Sequence, residues 1–235
     1  MESLQEKWNG RVSECQSIDE CLSLMVEFAQ VLEFDCVAYG VRMPFNITQP
    51  KTVLVNNYPE IWQQTYAENN YLEKDPTVAH ALRSVLPVVY SEKLFENSRD
   101  FYEDAVSAGI EHGWAQPVYD ARSCGLVSFT RQGAPISELE LSEKSSSLMW
   151  LSQAIHSTVG QLIIERDYPE SLIQLTSREA EVLRWTAVGK TSGEIAIILG
   201  ISERTVNFHI NNSMEKLVCN NKTAAAIKAT LLHLL

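Results

Sequence analysis

The sequence predicts an α+β N-terminal domain, an antiparallel sheet between helices in an α-β-α sandwich, followed by a small all-α helix-turn-helix domain. Three observations carry this. Strand-like and helix-like stretches are interspersed over the first 165 residues, and the last two strands are joined by a connection short enough for a hairpin. The charge is split: residues 1–171 hold 12 Lys and Arg against 25 Asp and Glu, net −13, whereas residues 172–235 hold 7 against 5, net +2. From Leu175 onward two capping boxes and two glycines punctuate the chain at helix-length intervals. Domains are therefore expected at 1–165 and 174–235, with a linker at 166–173.

Taken in order, helices are expected near 3–31, then strands at 36–41 and 51–56. Helical stretches follow near 59–69 and 76–83. Asp75-Pro76 opens the second as an N-cap followed by proline at the first helical position. A strand at 86–91 and a helix near 100–108 precede strands at 114–119 and 125–130. The connection Asp120-Ala-Arg-Ser-Cys124 makes that last pair a hairpin. A helix over 137–164 closes the domain, with Leu141, Leu148, Leu151, Ile155, Val159 and Leu162 on one stripe. Pro169, within the segment 166–171, is expected to end it.

In the C-terminal domain, Thr176-Ser-Arg-Glu179 is a capping box, with Ala180, Val182, Leu183 and Ala187 on one face behind it and Gly189 as a left-handed cap. Thr191-Ser-Gly-Glu194 opens a second helix, expected to bury Ile195, Ala196, Ile198 and Leu199 before Gly200. Ser202 caps a third helix to about Leu217, in which Val206, Ile210, Met214 and Leu217 form the buried stripe. Arg204, Thr205, Asn207, Phe208, Asn211, Asn212 and Lys216 lie off that stripe.

Two such helices around a tight turn make a helix-turn-helix, whose second helix enters the DNA major groove. Asn amides donate and accept at once, as paired contact to adenine requires, and Arg pairs with guanine. Lys190, Lys216 and Lys222 suit phosphates, and Thr191 beside Lys190 joins the expected DNA-contacting set. Gly189-Lys-Thr191 has the look of a phosphate-loop tail, but Arg184, followed by Trp185, stands where that loop needs glycine. An NTPase is excluded.

A chain of 235 residues can bury two modest cores. Its acidic body repels DNA, so binding rests on the small basic end and weakens steeply with salt. A net charge of only +2 implies that two copies bind together, as a homodimer. The five cysteines show neither a CxxC nor a metal spacing, which fits a reducing cytoplasm. No signal peptide and no apolar run of spanning length is visible, so no membrane attachment is expected. No G-x-S-x-G, His-rich metal motif or Cys–His pair is visible either; no enzyme, and specifically no lactone hydrolase, is expected.

The C-terminal residues closely resemble the DNA-binding domain of LuxR-type transcription regulators: Thr176, Arg178-Glu179, Leu183, Gly189-Lys190, Glu194-Ile195-Ala196, Leu199, Ser202, Thr205-Val206, His209 and Lys216-Leu217. Asn207 departs from the Lys that many members carry, so the operator does not transfer. Asn57-Tyr58-Pro59, Trp62, Tyr66, Asp75-Pro76-Thr77 and Leu86-Pro87 resemble the other half of the family, the acyl-homoserine-lactone pocket, with the Pseudomonas-type receptors nearest in character. The resemblance thus spans essentially the whole chain.

It implies a quorum-sensing regulator with no cofactor, an N-acyl-homoserine lactone as ligand and duplex promoter DNA as partner. Trp62, a donor only, suits the ring carbonyl, and the Asp75 carboxylate, an acceptor only, suits the amide N–H. Tyr58 and Ser128 would donate to the amide carbonyl. Thr77 stands beside Asp75, and Tyr66, Val78, Leu126, Val37, Tyr39 and Val41 would wrap the acyl tail. Tyr90 replaces the Trp that many members place over the ring. Two alternatives stay open: a phosphorylation-gated regulator, which needs a parallel β-α fold that the hairpin disfavours, and a family member that holds its fold without ligand.

Overall fold

The computed structural model describes residues 3–43, 51–120, 123–168 and 173–235. The chain divides into two compact units between Ile163 and Ile164. In the first, α1 (Leu4–Val12) and α2 (Ile18–Val31) are each opened by a serine whose hydroxyl accepts a backbone N–H. The stretch expected to be helical over 3–31 is thus two helices, packed through Trp8 edge-on against Phe28. Five strands form one antiparallel sheet in the order β2-β1-β5-β4-β3, with β1 Cys36–Met43, β2 Lys51–Asn56, β3 Val88–Val89, β4 His112–Tyr119 and β5 Cys124–Arg131. The third strand is only two residues long, shorter than expected. The tip of the β4–β5 hairpin and Pro169 of the expected linker lie outside the described residues.

Strand alternation gives the sheet two different faces. Val37, Tyr39, Val41, Val127 and Phe129 are fully buried on one. Against that face lies α6 (Glu138–Asp167), whose His156 Nδ1 is 2.8 Å from the Tyr39 hydroxyl. Gly160 lets the helix approach: a Cβ there would stand 3.0 Å from that hydroxyl. Near its start, α6 is fastened to β5 by Arg131, which donates to both oxygens of Glu140 at 2.7 Å and holds that carboxyl down at about 2. α6 continues three residues past the expected 164. No helix among the described residues is long and apolar enough to cross a membrane.

The opposite face carries α3 (Glu60–Glu68), a 3-10 turn at Tyr71–Glu73, α4 (Pro76–Ala81) and α5 (Arg99–Ser107). Helices on both faces of an antiparallel sheet are the expected α+β sandwich.

His156 has a consequence for stability. The ring is fully buried, its Nε2 lacks a hydrogen-bond partner, and Asp120 Oδ2 stands 3.7 Å away. Burial lowers its pKa from the ordinary 6.5, with Asp120 opposing. A depressed folded-state pKa means the unfolded chain takes the proton first, so stability is lost as pH falls below about 6.5. Thermal unfolding at pH 7.5 and 5.5 should show a drop in midpoint that His156→Phe reduces. Equal drops in both proteins would remove His156 as the cause.

The second unit contains α7 (Ser177–Ala187), α8 (Ser192–Leu199), α9 (Glu203–Lys216) and α10 (Lys222–Leu231). Three helices were expected here, and a fourth is present. The fourth is capped by Asn221 and packs Ala225, Ala226 and Ala229 against Leu183 and Leu217. Both expected capping boxes are present, at Thr176/Glu179 and Thr191/Glu194, and Gly189 and Gly200 take positive φ of 87° and 65°. Ile198 is 43% exposed rather than core.

Candidate functional site

Between the Ser128 face of the sheet and helices α3 to α5 lies a cavity of about 440 Å3, a size typical of small-molecule sites. Polar side chains converge on one part of its lining. Asp75 caps α4, and because Pro76 has no N–H, the first helical donor it meets is Thr77. Oδ1 accepts from the Thr77 amide at 2.8 Å and its hydroxyl at 2.6 Å; Oδ2 accepts from the Tyr66 hydroxyl at 3.2 Å. A carboxylate has about four acceptor sites, and Thr77, Tyr66 and the Val78 amide are the donors that face them. Burial pushes the Asp75 pKa up, and the bonds from Thr77, Tyr66 and the Val78 amide oppose the rise.

Tyr90 is held in place by its own amide, which donates to the Gly113 carbonyl at 2.8 Å. A Cβ on Gly113 would come within 2.8 Å of the Tyr90 ring, so glycine is what lets the ring lie against β4. Burial raises the Tyr90 phenol, and the hydroxyls of Ser128 and Tyr58 facing it counteract this. Trp62 completes the wall inside an aromatic cluster, 5.7 Å from Tyr66 and 5.4 Å from Phe101 between ring centres.

Of the residues named from sequence, Tyr58, Trp62, Tyr66, Asp75, Thr77, Val78, Tyr90, Leu126 and Ser128 all line this cavity. Val37 and Tyr39 do not, nor does Val41. They point to the α6 face, because side chains one residue apart on a strand face opposite ways. Their neighbours Ala38, Gly40 and Arg42 line the cavity instead. Phe101, Ala105 and Ile110 also line it and were missed. Phe101 and Ala105 stand four residues apart on one face of α5, a spacing that does not say what the face covers.

In the second unit, Gly200 turns the chain from α8 into α9. Arg204, Asn207, Phe208 and Asn211 follow at i, i+3, i+4 and i+7 and are all exposed, Phe208 at 59%. Asn212 is half-buried, as is Thr205, whose amide is capped by Ser202. Ser192 donates to Asn207 Oδ1 at 2.8 Å, which leaves the Asn207 amide N–H groups as its outward donors. Thr191 is engaged in its capping box, and Lys190 lies 3.0 Å from Glu194 in an exposed pair that phosphate can readily displace.

Lys216 needs correction. Its ammonium donates at 2.7 Å to Glu179, a carboxylate 3% exposed that also closes the α7 capping box. A Lys tied to a buried carboxylate holds α9 to α7 and is not a free phosphate contact.

The sequence pattern described as "Autoinducer binding domain" matches residues 17–159, and that described as "Bacterial regulatory proteins, luxR family" matches residues 173–229. The chain is 42% identical to the transcriptional activator protein AnoR of Acinetobacter nosocomialis over the full length of both. It is 36% identical to the quorum-sensing regulator RhlR of Pseudomonas aeruginosa, covering 97% of this chain and 96% of that one. Among solved structures, SdiA in complex with octanoyl-rac-glycerol superposes with a TM-score of 0.79 at 33% identity, covering 99% and 97% of the two chains. The SdiA relative found by sequence is from Escherichia coli.

Proposed function

The chain belongs to the LuxR family of quorum-sensing transcription regulators, with an autoinducer-binding domain and a helix-turn-helix DNA-binding domain, and from this we propose that its ligand is an N-acyl-homoserine lactone held at Asp75. It is a regulator, not an enzyme. The observation that carries the ligand is the buried Asp75 carboxylate, an acceptor set among donors in an otherwise largely apolar cavity. A lactone's amide N–H needs an acceptor, and its two carbonyls need donors. Trp62 supplies one to the ring carbonyl, and Tyr58 and Ser128 supply others to the amide carbonyl. Tyr90 walls the ring.

Residues 1–165 form the lactone-binding domain, 166–173 the linker and 174–235 the DNA-binding domain. The protein acts in the cytoplasm as a homodimer, reading a two-fold site in duplex promoter DNA. Arg204, Asn207, Phe208, Asn211 and Asn212 face bases, Phe208 against a thymine methyl; Lys190 and Thr205 face phosphates. Asn211→Ala should weaken DNA binding by about tenfold or more, the scale of one lost base contact, and leave lactone binding unchanged. Loss of both activities would assign Asn211 to folding.

Thermal unfolding of the full chain tests the ligand, using lactones of graded acyl length, their base-opened acids and an octanoyl glycerol. At a hundredfold excess over Kd a ligand adds about 2.7 kcal/mol, a midpoint rise of roughly several degrees. Stabilisation by closed rings alone supports the assignment. Stabilisation by the acylglycerol alone would replace the lactone with a hydroxyl-bearing acyl ester.

A further inference from the structure

The sheet registers line the cavity floor in three rows. Asn56, Ala38 and Ser128 are paired across β2, β1 and β5 in the first, Leu54, Gly40 and Leu126 in the second, and Thr52, Arg42 and Cys124 in the third. All nine line the cavity. Along β1 the floor therefore runs Ala38, Gly40, Arg42: two small residues, then a long one. The middle row is apolar, and Leu54 leans so far over Gly40 that a Cβ there would meet its Cδ2 at 3.0 Å. A linear chain anchored at the Ser128 row is thereby directed along β1, between Leu54 and Leu126, toward Arg42.

We propose that Arg42 is the length-determining residue of this site, standing at the far end of the acyl track and setting the longest chain that the pocket accepts. The inference rests on the lactone reading above. From the Ser128 row to the Arg42 row is four residues of strand, about 13 Å. An extended alkyl chain advances about 1.25 Å per carbon, the projection of a C–C bond of roughly 1.5 Å. About ten carbons from the amide carbonyl thus bring the chain terminus to Arg42.

The chemistry suits a stop. The guanidinium is always charged and strongly prefers water, while its stem can lie along an alkyl chain. Arg42 is exposed overall although it lines the cavity, and its charge acts on the Cys124 thiol in the same row against the effect of burial. Up to the gate, each added methylene strengthens binding about fourfold. Beyond it, a methylene must displace the guanidinium or enter water, and gains nothing.

The test is lactone affinity against acyl length, from four to sixteen carbons, for the wild-type chain, Arg42→Ala and Arg42→Lys. The wild type is expected to gain affinity up to roughly ten carbons and then level or fall. Arg42→Ala should move that limit at least two carbons longer and change affinity for chains beyond the wild-type limit far more than for six-carbon chains; Arg42→Lys should keep it. An unmoved limit in Arg42→Ala overturns the proposal. So does equal loss at every length in a variant that unfolds normally, because Arg42 would then be a general anchor. A wild type that binds no lactone of any length sinks the lactone reading itself, and this inference with it.

Discussion

Replacing Asp75 with Asn should weaken lactone binding about a hundredfold, the upper end for a hydrogen bond to a charged group. The apo domain should be no less stable for it. Asn caps helices as well as Asp does, so its oxygen can keep the bonds from Thr77, and the amide N–H2 then takes the place of Oδ2. There it opposes the ligand's own N–H, donor against donor. Removing a carboxylate that burial disfavours offsets any lost cap strength. Tyr90→Trp should cost far less, since the bare Gly113 already leaves an aromatic ring room against β4. Titration of both variants with one lactone, alongside thermal unfolding without ligand, checks this. Equal effects would remove Asp75 from its special role.

The same carboxylate gives a pH dependence. The lactone amide bonds the ionised form more strongly than the protonated acid, and the pKa of the group in the empty pocket is raised above the ordinary 3.8. Affinity should therefore fall as pH is lowered through that raised value, with a proton taken up on release. In Asp75→Asn this dependence should vanish.

Glu179→Ala should weaken DNA binding while lactone binding persists. The variant loses one half of the capping box, worth about 1 kcal/mol. It also strands Lys216, whose partner was buried. The charge left behind is Lys216, exposed enough for water to solvate it, so the loss stays below the cost of stranding a buried charge, about 3–5 kcal/mol. A domain of about 60 residues holds only some 3–9 kcal/mol. Glu179→Gln, which can still close the capping box, should do less harm. Amide hydrogen exchange would locate the damage: fast exchange confined to α7–α9 is expected. Native-like protection with DNA binding lost would return the Glu179–Lys216 pair to the DNA surface.

These residues mark what a sequence can and cannot disclose. The capping boxes at Thr176 and Thr191, the Gly200 turn and the strand at Cys36 were legible because each is a local signal of spacing. Asp75-Pro76-Thr77 was legible for the same reason, since one tripeptide sets both cap and acceptor. Tyr39 was misplaced because alternation says that neighbours face opposite ways without saying which face meets the ligand. The sheet registers decide that. Lys216 was misread because its partner lies 37 positions away, and a basic residue on a recognition helix gives no sign of a buried carboxylate beneath it. α10 was passed over because its alanine face carries little contrast in hydropathy.

The central claim is that ligand in the first domain governs DNA binding by the second. The most direct test measures affinity for a duplex that the protein itself selects from a randomised pool, with and without a stabilising lactone, while sedimentation records the oligomeric state. Tighter DNA binding only with the closed-ring lactone, by a species of two chains, is the predicted result. Equal affinity with and without lactone, from protein already folded and dimeric, would contradict it and establish a regulator that needs no ligand.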